Sequence, residues 1–238
     1  MRNSKNSNRL KVAFIAGANS RLASEIIRHY SSNGWQIIAA SREEPSAASN
    51  LGNCLWIPMD ITNIESIDRA IEEAYTIHPC IHTLIQCTGF YPKHSNIIDT
   101  PIHDITTDIK VTYEGPILLS KYYVQRQMHH HCGRIFYIGS TGSFLGSAGK
   151  ATYCANKAGI THFARVLHNE ITHYGMAAHV ISPGQLSSDT NEPALIEQKA
   201  ISNASIASAL FMMNNLSGNA HIDHIEINPA QDSNTYSC

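Results

Sequence analysis

The sequence predicts an α/β fold, a doubly wound parallel sheet of about seven strands with helices on both faces. Three observations lead there. Short and wholly apolar runs such as VAFIAGA, at 12–18, read as strands buried on both faces. Between the runs lie segments with apolar residues at helical spacing, as at Ile64, Ile67, Ala70, Ile71 and Ala74. Polar clusters stand where the predicted strands end, which is where ligands bind in such sheets, outside the carboxyl ends and at the point where strand order reverses. Strands alternating with helices of this length imply right-handed crossovers, and hence parallel neighbours.

In chain order, MRNSKNSNR is a polar lead-in and LKVAFIAGA the first strand. LASEIIRHYSSNG is a helix capped at Gly34, and WQIIAAS the second strand. A third strand precedes MDIT, where Asp60 read without any ligand is an N-cap for the helix in NIESIDRAIEEAYTIH, a role compatible with a ligand contact as well. IHTLIQCTG is the fourth strand, and a helical stretch ending near His131 leads to the fifth, GRIFYIGS. The helix containing Tyr153 and Lys157 precedes AAHVIS, and IDHIEIN closes the sheet. No repeat or internal boundary interrupts this order, so residues 1–238 read as a single domain with frayed ends at 1–9 and 231–238.

Composition narrows the function. With 43% hydrophobic and 15% charged residues and a formal charge of −2, the chain has no global field to draw nucleic acid or an anionic membrane. VAFIAGA is too short to span a bilayer and lacks a secretory layout, which predicts a cytoplasmic protein. Cys54, Cys80, Cys87, Cys132, Cys154 and Cys238 form no CxxC, so a zinc site or disulfide framework is not expected, only reduced, packed thiols. HHHC at 129–132 reads as a solvated helix terminus rather than a metal site, because adjacent residues there point apart. No metal is expected.

The chemistry begins with KATYCANKAGI at 150–160, where Tyr153 and Lys157 stand four apart. That spacing puts both on one helix face, where a cation favours a phenolate and brings a phenol into use as acid or base. YxxxK alone also fits a half-buried tyrosine beside a solvated lysine. Ser140, thirteen residues before Tyr153 and at the end of GRIFYIGS, adds a hydroxyl.

Taken with AGANSRLA, MDIT, QCTG and SPGQLSSD at the strand ends, the chain resembles the short-chain dehydrogenase/reductase family from Val12 to Pro229. The resemblance implies a Rossmann-type fold and a Ser-Tyr-Lys set of Ser140, Tyr153 and Lys157. A donor aimed at the oxygen of a carbonyl that accepts hydride stabilises the transition state more than the ground state. Tyr153 would give that proton, Ser140 would hold the same oxygen, and Lys157 would tune the phenol and bind the nicotinamide ribose. By the same resemblance the cofactor lies against Gly17, Asn19, Ser20, Arg21 and Leu22 of the first loop and Asp60 and Ile61 after the third strand. Cys87, Thr88 and Gly89 follow after the fourth, then Pro183 and Gly184, with Ser188 at the carboxamide. Ser41 and Arg42 stand where an acidic residue would select NAD and suit the 2′-phosphate of NADP.

The chain departs from the family pattern in three places. Arg21 and Ala23 replace glycines of the first loop, so that Arg21 either crowds the pyrophosphate or pairs with it. Gln86-Cys87-Thr88-Gly89 stands for Asn-Asn-Ala-Gly. Thr112 takes the place of the catalytic asparagine and either keeps the proton relay through its main chain or weakens it. The expected function is NADP-dependent interconversion of a ketone or aldehyde, small or carrier-linked, with an alcohol, by a homo-oligomer. A silent nucleotide sensor of the same fold is the alternative, and isomerase or dehydratase chemistry on a nucleotide sugar fits less well because the segment from Ser187 to Ile206 is short. That segment is expected to cover the substrate; Phe90, Tyr91, Phe144 and Leu145 either line its pocket or, for at least half of them, pack in the core.

Overall fold

A computed structural model describes residues 10–89, 95–187, 200–217 and 220–230. Among the described residues seven strands form one sheet in the order β3-β2-β1-β4-β5-β6-β7. They are β1 (Val12–Ala16), β2 (Gln36–Ser41), β3 (Cys54–Pro58), β4 (Thr83–Gln86), β5 (Arg134–Ile138), β6 (Ala177–Pro183) and β7 (His224–Ile227). Every neighbouring pair is parallel. Strand order reverses between β1 and β4, and the crevice follows from that reversal.

Among the described residues the helices are α1 (Arg21–Ser32), α2 (Ile64–Ile77), α3 (Ile102–Ile109), α4 (Gly115–Gln127), α5 (Gly142–Leu145), α6 (Ala151–Ile171) and α7 (Asn203–Asn214). All five residues of β1 are buried, with alternate ones feeding two separate cores. Val12, Phe14 and Ala16 meet α2, α4 and α6, and Ala13 and Ile15 meet α1 and α7. Each fully buried isoleucine or phenylalanine here stabilises by roughly 1.5–3 kcal/mol. A polar residue anywhere in the run would forfeit that, which is why the strand reads as continuous apolar sequence.

Caps set the helix starts. Ser20 opens α1, its Oγ accepting from Ala23 N at 3.0 Å, and the helix ends at Asn33, one residue before the expected Gly34, which takes φ +80° just beyond. The cap of α2 is Asn63, whose Oδ1 accepts from Ser66 N at 2.7 Å, so Asp60 is not the cap. Asp60 Oδ1 instead accepts from Thr62 N and Thr62 Oγ1. Three residues separate it from the helix, too far for capping geometry.

Between α3 and α4 the chain makes a π-helical turn, Lys110–Glu114, which carries Thr112. Such wide turns re-aim one side chain inside an otherwise regular helix. Gly115 and Pro116 restart the α-helix, and Gly115 lies so close to the Ile61 carbonyl that a Cβ would collide with it. The polar tract at 129–131 is exposed on a single 3-10 turn closed by His131 at φ 51°, a helix terminus as expected. The expected frayed ends lie outside the described residues.

Candidate active site

The loop after β1 is shaped by one glycine. Gly17 has φ +74°, and a Cβ there would lie 2.8 Å from Thr88 N, so only glycine lets the β1 and β4 loops approach this closely. The two loops border a hollow of about 590 Å³ over the strand reversal. Its walls include Gly17, Asn19, Ser20, Ser41 and Arg42, with Asp60, Ile61, Cys87, Thr88 and Gly89 opposite. Asn19 Nδ2 donates to Glu43 O at 2.8 Å, and Ser41 Oγ donates to the same carbonyl at 2.7 Å. These bonds tie the glycine loop to the loop after β2, leaving Arg42 exposed on the wall.

A second hollow of about 390 Å³ opens above β5 and β6. Ser140, Tyr153, Lys157, Pro183 and Gly184 line it. Gly139 N donates to Ile181 O at 2.7 Å and Thr141 N to Pro183 O at 3.2 Å, which holds the two strand ends together. Ser140 Oγ accepts from Gly142 N at 3.1 Å. A Cβ placed on Gly142 would lie 3.3 Å from Ser140 Oγ and 3.7 Å from Tyr153 Cε1, so hydroxyl and phenol ring flank the same small space.

Lys157 bears on the two meanings of YxxxK. It is 5% exposed, its Nζ donates to Ile138 O at 2.7 Å, and it stands 5.8 Å from the centroid of the Tyr153 ring. The solvated-lysine reading fails because α6 packs this face on the sheet. Burial lowers its pKa from 10.5 to about 8, while Cys87 and Asp108 act to raise it. A Cβ on Gly89 would sit 3.5 Å from Nζ, so the ammonium also abuts the loop of the first hollow. Burial also pushes the Cys87 thiol up to about 12, with Lys157 opposing it. Cys87 therefore stays a neutral packed thiol.

Beneath Lys157 lies a cavity of about 10 Å³, walled by Gln86, Thr88, Thr112, Tyr137 and Lys157 among others. That is close to the size needed for one water. Thr112 Oγ1 donates to Asp108 Oδ1 at 2.8 Å in the interior. Gln86 Oε1, Thr88 Oγ1 and Asp108 Oδ2 are buried and lack a hydrogen-bond partner among the described residues. A buried orphan costs about 1–3 kcal/mol; Gln86 and Thr88 line the cavity, and Asp108 bonds to Thr112, which also lines it.

Sequence reasoning selected most of these side chains, with instructive exceptions. Arg21, exposed on the first turn of α1, lines neither hollow, and Leu22 packs into the core below. Ser188, Phe90 and Tyr91 lie outside the described residues. Phe144 and Leu145 neither pack in the core nor line a hollow: Leu145 is 81% exposed, and the Phe144 ring tilts against His224. Of the expected covering segment, Ile201 bridges back to Leu186 and Ile206 is core on α7, so its end belongs to the scaffold. Asp108 was missed, and Gln86 was noted only as a departure from the family pattern. Their signal was position, since Asp108 stands one helical turn before Thr112 and Gln86 is a polar residue closing an apolar strand.

A parallel sheet of this order, with its polar side chains gathered over the strand reversal, defines a nucleotide-binding Rossmann-type α/β protein. The short chain dehydrogenase family matches residues 11–199, and the chain belongs to that family of oxidoreductases. Among relatives, it is 26% identical over 196 residues to the 3-oxoacyl-[acyl-carrier-protein] reductase FabG of Salmonella typhimurium, covering 80% of this chain and 79% of that one. FabG of Haemophilus influenzae is 29% identical over 195 residues, covering 80% of each. The fold is similar to that of serine dehydrogenase from Escherichia coli, with a TM-score of 0.83 at 19% identity over 92% of this chain and 97% of that one. ElxO with NADP bound has a TM-score of 0.83 at 16% identity, with the same coverage.

Proposed function

We propose that the protein interconverts a ketone or aldehyde with an alcohol, using NADP as hydride carrier and Tyr153 as acid and base. The observation that carries this reading is the position of Lys157: a buried ammonium beside the Tyr153 ring, lining the hollow that holds Ser140 and touching the loop that lines the other. The cofactor's residues fit. Gly17 leaves room at the β1 turn, Ser20 and the N-terminus of α1 face the hollow, and the orphaned Thr88 hydroxyl is available to an acceptor or donor. Asp60, Ile61, Pro183 and Gly184 would complete the walls, with Arg42 meeting the 2′-phosphate. The nicotinamide, when bound, supplies or accepts the hydride.

The chain's own side chains handle the proton. Ser140 holds the substrate oxygen, and Tyr153 donates to it as charge develops there. Lys157 keeps positive charge beside the phenol, lowering the cost of its momentary ionisation. Thr112, bonded to Asp108, borders the one-water cavity below Lys157, and through that cavity the tyrosine would be resupplied. Gln86 and Thr88 face the same place, which gives the departures from the family pattern a shared task. The reading extends to one domain over 1–238, working in the cytoplasm as a homo-oligomer. Among the described residues no helix is long and apolar enough to cross a membrane.

The names of the FabG relatives direct the assay toward 3-oxoacyl thioesters. NADPH oxidation against a carbonyl panel that includes one should proceed, and Tyr153→Phe should lower kcat by about 10²–10⁴-fold while calorimetry shows NADPH binding retained. A mutant as fast as the parent would end the assignment of Tyr153. Tight NADPH binding by a parent that turns nothing over would point to a nucleotide sensor.

A further inference from the structure

At the amino ends of β4 and β5, far from both hollows, two thiols from distant parts of the chain meet. Cys80 Sγ and Cys132 Sγ are 3.8 Å apart, although 52 residues separate them. Both are half-buried and both line a third hollow of about 290 Å³, together with His78, His82 and His130. Adjacency of β4 and β5 brings them together: Thr83 pairs with Arg134, so the residues just before each strand are also neighbours. Among the described residues no group of three or more His, Cys, Asp or Glu side chains is arranged to hold a metal ion. The pair therefore needs a different account.

The donors around the sulfurs are unequal. Gln127 Nε2 donates to Cys80 Sγ at 3.3 Å and to Cys132 Sγ at 3.4 Å. Val12 N donates to His82 Nδ1 at 3.2 Å, so in the neutral ring the proton is on Nε2, which faces Cys80 Sγ at 4.0 Å. Cys80 thus has the Cys132 thiol, an amide and an imidazole N–H aimed at it. The Cys132 hydrogen bond is the largest of the effects that hold the Cys80 thiol far below its ordinary range, with His82 and Gln127 adding to it and burial opposing. Cys54 and Cys87 lie in the opposite condition, raised by burial to about 11 and about 12.

We infer that Cys80 and Cys132 form a thiol–disulfide exchange site, with Cys80 the attacking and Cys132 the resolving sulfur, open to a low-molecular-weight disulfide through the histidine-lined hollow. The Cys80 thiolate attacks one sulfur of the incoming disulfide, forming a mixed disulfide and expelling a thiolate. Cys132 then loses its proton to solvent and attacks Cys80 Sγ, expelling the second thiolate. The protein loses two electrons and two protons, and the small disulfide becomes two thiols. Closing from 3.8 Å to a bond of about 2.05 Å asks each sulfur to move by roughly 1 Å. Side-chain rotation can supply much of that.

The full reduced chain, treated with oxidised glutathione, quenched by alkylation and mapped without reduction, tests this. The expected result is a Cys80–Cys132 peptide pair that forms before Cys54, Cys87 or Cys154 is modified. Cys132→Ser should trap glutathione on Cys80, and Cys80→Ser should leave Cys132 largely unmodified. Phenylarsine oxide, which bridges close thiol pairs, should bind one equivalent to the parent and none to either variant at that concentration. Carbonyl reductase activity of both variants should stay within about twofold, since neither residue lines the catalytic hollows. A map showing Cys80 no faster than Cys54, links only between chains, or both thiols capped by glutathione without closing to each other would overturn the inference. The parent's map decides alone even if a variant folds poorly.

Discussion

Gln86 and Gln127 are the same side chain, both buried, at opposite ends of the sheet. Gln127, at the amino ends of the strands, is saturated by protein. Its Oε1 accepts from Tyr75 OH at 2.9 Å and Ile81 N at 3.1 Å, and its Nε2 donates to Cys132 O at 2.9 Å. Gln86, at the carboxyl end of β4, donates from Nε2 to Pro116 O at 3.0 Å and Ser120 Oγ at 2.8 Å, yet its Oε1 has no hydrogen-bond partner among the described residues. Thr88 and Asp108 repeat that incompleteness beside it. Around Gln127 the protein closes its own polar groups, whereas around Gln86 it leaves polar atoms unpartnered at a cost in stability. Tyr30 OH and Asn214 Nδ2, nearer the amino ends, are also unpartnered among the described residues, so the contrast belongs to these two surroundings.

The contrast can be broken most strongly from below. Gln127→Leu leaves the Ile81 amide, the Tyr75 hydroxyl and the Cys132 carbonyl without their partner, and should destabilise by about 4 kcal/mol in urea titrations. Its kcat, measured at a temperature where it is folded, should match the parent's. A comparable loss of kcat would show that the two ends are not separate.

Lys157 sharpens the contrast from above. Its native pKa of about 8 lies below the ordinary 10.5, so between those values the unfolded chain binds more protons than the native one. Stability should therefore rise with pH through that window, by about 3 kcal/mol relative to Lys157→Met, and the burial penalty should be felt in full below pH 8. Urea midpoints of both proteins from pH 7 to 10.5, without nucleotide, give the difference. Parallel profiles would mean that the ammonium is solvated after all.

Two further substitutions read smaller effects. Gly17→Ala combines a positive φ with a contact to Thr88 N and should cost about 2 kcal/mol, together with nucleotide affinity. Gly34→Ala has a similar φ of +80° with nothing within 4 Å, and should cost about 1 kcal/mol with affinity unchanged. The difference in thermal unfolding between the two isolates the close approach of the β1 and β4 loops. Last, Arg42→Ala should raise the KM for NADPH by about tenfold and leave that for NADH alone. Equal changes for both cofactors would remove Arg42 from the 2′-phosphate.

Much of this protein could be read without coordinates. The alternation of apolar runs with helical periods determined the sheet and its parallel crossovers, since both periods are local properties of the chain. Four-residue spacing determined that Tyr153 and Lys157 share a face, and the distance back to Ser140 carried the family. Only the tertiary structure decided that Lys157 is buried, because that depends on α6 lying over β5 and β6 rather than on letters nearby. It also decided that Arg21 is exposed on the first turn of α1, and that Asp108 bonds in the interior to Thr112, which borders the small cavity with Gln86 and Thr88. The meeting of Cys80 with Cys132 belongs to the same class. Periodicity says which way a side chain faces along its own element; what it faces is set by strand order and helix packing, which join residues tens of positions apart.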